Sequence, residues 1–162
     1  MDSSPMDQNS VNNEDLSGLH LWLILWKAYR ALESHSFQSI AGLGIGLSDF
    51  AALELLLHKG PQPVNTIGKK IMLTSGSITS TIDRLEAKNL VRRAFSPSDQ
   101  RVRIVQLTPE GRKLISCAFT QHRKDMEQIA DALSPSERRQ LIQLLKKLGL
   151  SAANQTAPGK ID

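Results

Sequence analysis

The chain of 162 residues has a single cysteine, Cys117, which excludes a disulfide scaffold and a multi-cysteine zinc finger. Its longest strongly apolar run, Leu21 to Trp26, falls far short of the ~18 residues that span a bilayer. The opening MDSSPMDQNS lacks the basic region of a secretory signal. These absences lead us to expect a soluble, cytoplasmic protein with no membrane partner. Catalytic patterns are missing as well: there is no nucleophile–base frame, no glycine-rich phosphate loop after a strand and no paired-carboxylate frame. His20, His35, His58 and His122 include no i,i+3 or i,i+4 pair, so no metal site is expected. The sequence therefore points away from an enzyme and calls for no cofactor.

What is present is a chain long enough for one domain with a real core, 40% apolar and 22% charged. Its charge is unevenly spread. Residues 1–20 hold Asp2, Asp7, Glu14 and Asp15 and no Lys or Arg, a net of −4. Residues 61–107 set eight Lys and Arg against three Asp and Glu, a net of +5. A basic stretch inside a folded domain is the electrostatic footprint of nucleic-acid binding, although a solvated basic face has the same composition.

The polar, apolar-poor segments 1–14 and 151–162 are expected to be disordered. Residues 15–37 read as one helix that is apolar nearly all round, which a single small domain rarely covers; a second copy of the chain is expected to bury part of it. After the AGLGIG loop, Ser48 is expected to cap a helix with Phe50, Leu53, Leu56 and Leu57 facing inward, stopped by KGPQP. A short helix, VNTIGKKI, follows. Thr74 or Ser75 then caps a helix to about Lys88, with Ile78, Ile82 and Leu85 inside. Its other face is short, polar and cationic: Ser75, Gly76, Ser77, Thr79, Ser80, Asp83 and Arg84. Asn89 falls where the chain must turn left-handed, a conformation Asn tolerates. LVRRAF and RVRIVQL flank the turn SPSDQ and predict a hairpin. Thr108 and Pro109 open a long helix with Leu114, Cys117, Phe119, Met126 and Ile129 on its apolar side, and Ser134, Pro135 and Glu137 open the last.

This order is the plan of a winged helix-turn-helix, a mainly α fold of about six helices with a small β wing. Short hydroxyls at Ser75, Ser77, Thr79 and Ser80 let a recognition helix approach double-stranded DNA closely and bond phosphates and base edges. Arg84, Arg93 and Arg103 are expected to supply cations, and Arg101 at the wing tip suits a narrow minor groove. Asp99 is expected to shape the wing, and Asp83 to sit close to Arg101.

The passages DRLEAKNLVRR, Asp99-x-Arg101 and VQLTPEGRKL resemble the multiple-antibiotic-resistance regulator (MarR) family of bacterial winged-helix repressors, over about residues 15–150. One departure is Asn89, where the family usually has glycine. LTSGSIT and LSPSERRQLIQLLKKLGL look most like the branch that responds to quinones and catechols. The resemblance implies a homodimer formed through 15–40 and 109–150, a DNA-binding part over 47–107, a pseudo-palindromic operator and release by a small aromatic effector. Trp26, Arg30, His35 and Phe50 are the candidates for the effector pocket. Two alternatives stand beside this reading: thiol redox sensing through Cys117, and a winged helix that binds protein rather than DNA.

Overall fold

The computed structural model describes residues 15–95 and 102–156. The elements are α1 (Gly18–Ile40), a 3-10 turn (Ala41–Leu43), α2 (Leu47–Lys59), β1 (Gln62–Pro63), α3 (Val64–Lys70), α4 (Ser75–Ala87), β2 (Val91–Phe95), β3 (Arg103–Leu107), α5 (Pro109–Ala130) and α6 (Pro135–Thr156). The strands form an antiparallel sheet of order β1-β3-β2. The expected fold class is the one observed, a mainly α winged helix-turn-helix with a small sheet.

The chain divides into two compact units, one ending at His35 and one beginning at Ser36. The first holds most of α1. Its large apolar side chains are exposed in the single chain, with Leu19 at 79%, Trp22 at 59% and Trp26 at 48% exposure. The Trp22 and Trp26 rings stack, centroids 6.2 Å apart. Glu33 accepts hydrogen bonds from Tyr29 and Arg30, each at 2.8 Å. No single helix among the described residues is long and apolar enough to cross a membrane.

The second unit has the core. Leu53 and Leu56 of α2, Ile67 of α3, Ile78, Ile82 and Leu85 of α4, Val91 and Val105 of the sheet and Ile115 of α5 are all buried. Ser48 does not cap α2, contrary to expectation. The cap is Gly46, two residues earlier, and Asp49 accepts the Gly46 N–H at 3.3 Å, where a carboxylate also favours the helix dipole. The turn between α3 and α4 is closed by Met72 at φ +57°, with the Leu73 N–H bonded to the Gly68 carbonyl at 2.9 Å. Thr74 caps α4 by accepting the Ser77 N–H. Asn89 adopts φ +55°, as its position required.

The wing pairs Val91 with Leu107 through Phe95 with Arg103. The small third strand, β1, pairs Gln62 with Val105 and Pro63 with Ile104. In the sequence, KGPQP signals only a helix stop, because two residues carry no period. Asp99 and Arg101 lie outside the described residues.

Thr108 locks the wing to α5. Its hydroxyl donates to the Asn89 carbonyl at 2.7 Å and accepts the Gly111 N–H at 2.9 Å. A Cβ at Gly111 would lie 1.8 Å from the Leu90 carbonyl oxygen, a backbone atom that cannot rotate away. Gly111→Ala is therefore expected to cost about 3 kcal/mol or more, beyond ordinary overpacking. Urea unfolding measures this, and an unchanged midpoint would contradict the packing.

On α5, Leu114, Phe119, Met126 and Ile129 are half-buried on the expected side, but Cys117 is not. Gly111, Ile115 and Ala118 are buried, at i, i+4 and i+7, which turns Cys117 outward to an exposed position. The last helix also runs further, to Thr156 rather than ending near residue 150. SAANQT contains no breaker, and the first proline comes at Pro158. Ser134 and Glu137 form the expected capping box, and the Ser134 hydroxyl and N–H, both donating to the Glu137 carboxylate, hold it below its usual range. Leu141, Ile142, Leu144, Leu145 and Leu148 of α6 are all exposed in the single chain.

Candidate nucleic-acid interface

Because α4 buries Ile78, Thr81, Ile82 and Leu85, the helical period turns Ser75, Ser77, Thr79 and Ser80 outward, and all four are exposed. Two of these hydroxyls already have local partners: Ser77 Oγ is 2.8 Å from Thr74 Oγ1, and Thr79 donates to the Ser75 carbonyl at 3.0 Å. The Ser75 and Ser80 hydroxyls have no protein partner among the described residues, so their donors are available. An open groove of about 570 Å³ runs past the face, lined by Ser48, Ser77, Ser80, Thr81 and Arg84 among others. On the other side of the helix start, a hollow of about 320 Å³ is lined by Asn65 and Lys69 of α3 and Ser75 of α4. Sequence reasoning passed over Asn65 and Lys69; the signal was Lys69-Lys70 closing α3 within the basic stretch.

The cations divide by partner. Arg84 donates through one terminal nitrogen to Asp49 Oδ1 at 2.7 Å and Thr81 Oγ1 at 3.1 Å. Arg93 donates to Asp83 at 2.6 Å and to Glu86, and its backbone N–H reaches Glu86 at 3.0 Å. Burial opposes its charge, but the hydrogen bonds to Asp83 and Glu86 outweigh burial and hold the guanidinium pKa above its ordinary value. Arg93 thus braces β2 against α4, and its charge is met inside the protein rather than offered outward. Asp83 is bonded to Arg93; Arg101, its expected neighbour, lies outside the described residues. Arg103 is exposed, its guanidinium 5.0 Å from the centre of the Phe95 ring opposite it in the ladder. Arg92 is exposed on the same hairpin.

The effector candidates are placed as follows. Trp26, Arg30 and His35 are exposed along α1 in the first unit, with Arg30 paired to Glu33. Phe50 is 4% exposed and belongs to the core of the second unit. Its ring meets His122 edge-on at 4.9 Å. Ser39 gives its one hydroxyl proton to the Ser36 carbonyl, so the 2.7 Å contact with His122 has the Nδ1–H donating to Ser39.

The MarR family model matches residues 45–102, the stretch from the start of α2 to the residue before β3. The HTH-type transcriptional regulator MhqR of Bacillus subtilis is 41% identical, over 83% of this chain and 92% of that protein. Among solved structures, Bordetella bronchiseptica BpsR, whose DNA binding is regulated by 6-hydroxynicotinic acid, superposes with a TM-score of 0.72 at 25% identity, over 80% of this chain and 98% of that one. A cysteine-to-serine mutant of E. coli MarR complexed with operator DNA superposes with a TM-score of 0.74, over 80% of this chain and 94% of that one. At 21% identity that likeness shows the shared fold.

Proposed function

We propose, from the premise that this chain belongs to the MarR family of winged-helix DNA-binding transcription regulators, that it is a homodimeric cytoplasmic repressor released from a pseudo-palindromic operator by a small aromatic compound. Such regulators are not enzymes. The observation that carries the reading is the outward face of α4, four exposed hydroxyl residues with no large apolar group, set on a helix whose other side is core. In this reading Ser75, Ser77, Thr79 and Ser80 enter the major groove, and Arg103 and Arg101 approach the adjacent backbone or minor groove from the wing. The test is binding to duplex fragments of the source genome across a salt series. A log–log slope of several counterions is expected, and no duplex binding at low salt would leave a protein-interaction module. Arg101→Ala is expected to weaken binding to all sequences and to reduce the slope by about one counterion. An unchanged slope and affinity would remove the wing from the interface.

Dimerisation is supported by the apolar side chains left exposed on α1 and on α6. An obligate interface resembles a core cut in half, which is the composition of both helices. The effector reading is supported by the stacked Trp22 and Trp26 and by Tyr29 on α1, and by the aromatic acid that regulates DNA binding in BpsR. A ligand that binds both states equally shifts nothing, so the effector must favour the DNA-incompetent state. A tenfold loss of operator affinity requires about 1.4 kcal/mol of coupling, within the usual range of about 1–3 kcal/mol. Titration of a phenolic acid, catechol and quinone panel by tryptophan fluorescence, beside an operator assay, measures this. At least one compound is expected to bind and to weaken operator affinity tenfold, with operator weakening its binding equally. Binding without any shift would make the aromatic site incidental. Release by mild oxidant alone, blocked by Cys117→Ser, would transfer control to the exposed thiol.

A further inference from the structure

We propose that Asp49 is a positioning residue for sequence readout: it cancels the charge of Arg84 and aims its free donors into the groove beside Ser77 and Ser80. Arg84 then acts as a fixed hydrogen-bond donor instead of a sequence-blind phosphate cation. This rests on the reading of α4 as the DNA-reading helix.

The geometry is asymmetric. The Asp49 side chain is 4% exposed while that of Arg84 is 51% exposed, so the anion is sunk in the protein and the cation reaches out from it. Both carboxylate oxygens are occupied, Oδ2 by the Gly46 N–H at 3.3 Å and Oδ1 by Arg84 at 2.7 Å. Asp49 is therefore held from its own helix start and cannot swing with the arginine. The buried Thr81 hydroxyl accepts from the same arginine nitrogen at 3.1 Å. That nitrogen's two hydrogens are both used, and three of the five guanidinium N–H groups remain. They have no protein partner among the described residues. Arg84 follows Ser80 by four residues and Ser77 by seven, which places all three on one helical face, and all three line the same groove.

A free arginine on such a face pairs with whichever phosphate is nearest, which adds affinity for every sequence and discriminates nothing. An arginine neutralised from behind gains little from phosphates and keeps its directional hydrogen bonds for base edges. Arg92 and Arg103, which have no carboxylate partner among the described residues, serve the sequence-blind attraction instead.

The experiment measures affinity for a retained genomic operator fragment and for a random duplex, over a salt series, in wild type, Asp49→Asn and the neutral pair Asp49→Asn with Arg84→Gln. Asp49→Asn should free the Arg84 charge. The random-duplex slope is expected to steepen by about 0.9, one phosphate, and operator-over-random discrimination to fall about tenfold or more. The neutral pair is expected to lose the same discrimination with the wild-type slope, because the two charges already cancel. It also keeps the fold testable if Asp49→Asn alone unfolds, since it leaves no buried charge unpaired. A neutral-pair slope reduced by about 0.9 would show Arg84 to be an ordinary phosphate cation and overturn the proposal. Discrimination at the wild-type level in the neutral pair would also overturn it. Loss of affinity for both duplexes in parallel, with slope unchanged, would reduce Asp49 to a structural role. Ser80→Glu, measured alongside, separates the two levels: if it binds operator normally, the reading of α4 itself has failed, whatever Asp49 does.

Discussion

Ser80→Glu is expected to abolish operator binding and leave the fold intact. Ser80 is exposed on α4, its hydroxyl has no protein partner among the described residues, and Glu is a better helix former than Ser. The stability change should stay within about 0.5 kcal/mol, as for most surface substitutions. At the DNA surface the same carboxylate meets a phosphate wall. A like-charge juxtaposition at an interface costs several kcal/mol, on the order of a hundredfold or more in affinity. Circular dichroism and thermal unfolding establish the fold, and a gel shift the loss. Wild-type affinity in a folded Ser80→Glu protein would remove α4 from the reading position.

The second large effect concerns assembly. Leu141 and Leu145 are four residues apart on α6, on one face, with 44% and 41% of their surface exposed in the single chain. Replacing both with Glu places like charges in a symmetric interface and should dissociate it. Wild type is expected to sediment at about twice 17.9 kDa at micromolar concentration, and the double variant near the monomer mass. Operator affinity should fall further than the contacts alone explain, because a second half-site bound within one particle contributes a factor of about 10²–10⁴. A wild type that sediments as a well-folded monomer would contradict the dimer.

Much of this was legible in the sequence because the relevant signals are periodic or punctuated. Ile78, Ile82 and Leu85 announce the inner face of α4 by spacing alone, which fixes Ser77 and Ser80 outside. Asn89 and Ser134 occupy positions whose backbone demands few residues can meet. Three features were hidden for physical reasons. The start of α2 is set by Gly46, a residue with no side chain to signal a cap, whose N–H is met by the Asp49 carboxylate three residues on, and the Ser48 hydroxyl is not the cap. On α5, Gly111 and Ala118 carry little hydrophobic signal, so the fully buried stripe they form with Ile115 was hidden; Leu114 and Phe119 do pack against the core as expected, and Cys117 alone of the residues named for that side is exposed. The commitments of charge were the least visible. A count of basic residues gives Arg84 and Arg93 the same weight as Arg103, yet the first two are met by Asp49 and by Asp83 with Glu86, which come together only through the tertiary fold.

The most direct test of a dimeric reader that inserts α4 into DNA is a hydroxyl-radical footprint on a retained operator fragment, with the protein-to-duplex ratio determined on the same sample. Two protected patches on one face of the duplex, about 10 base pairs apart or a multiple of that spacing, with two chains per duplex, are expected. A single protected patch with one chain per duplex, or protection that Ser80→Glu leaves unchanged, would contradict it.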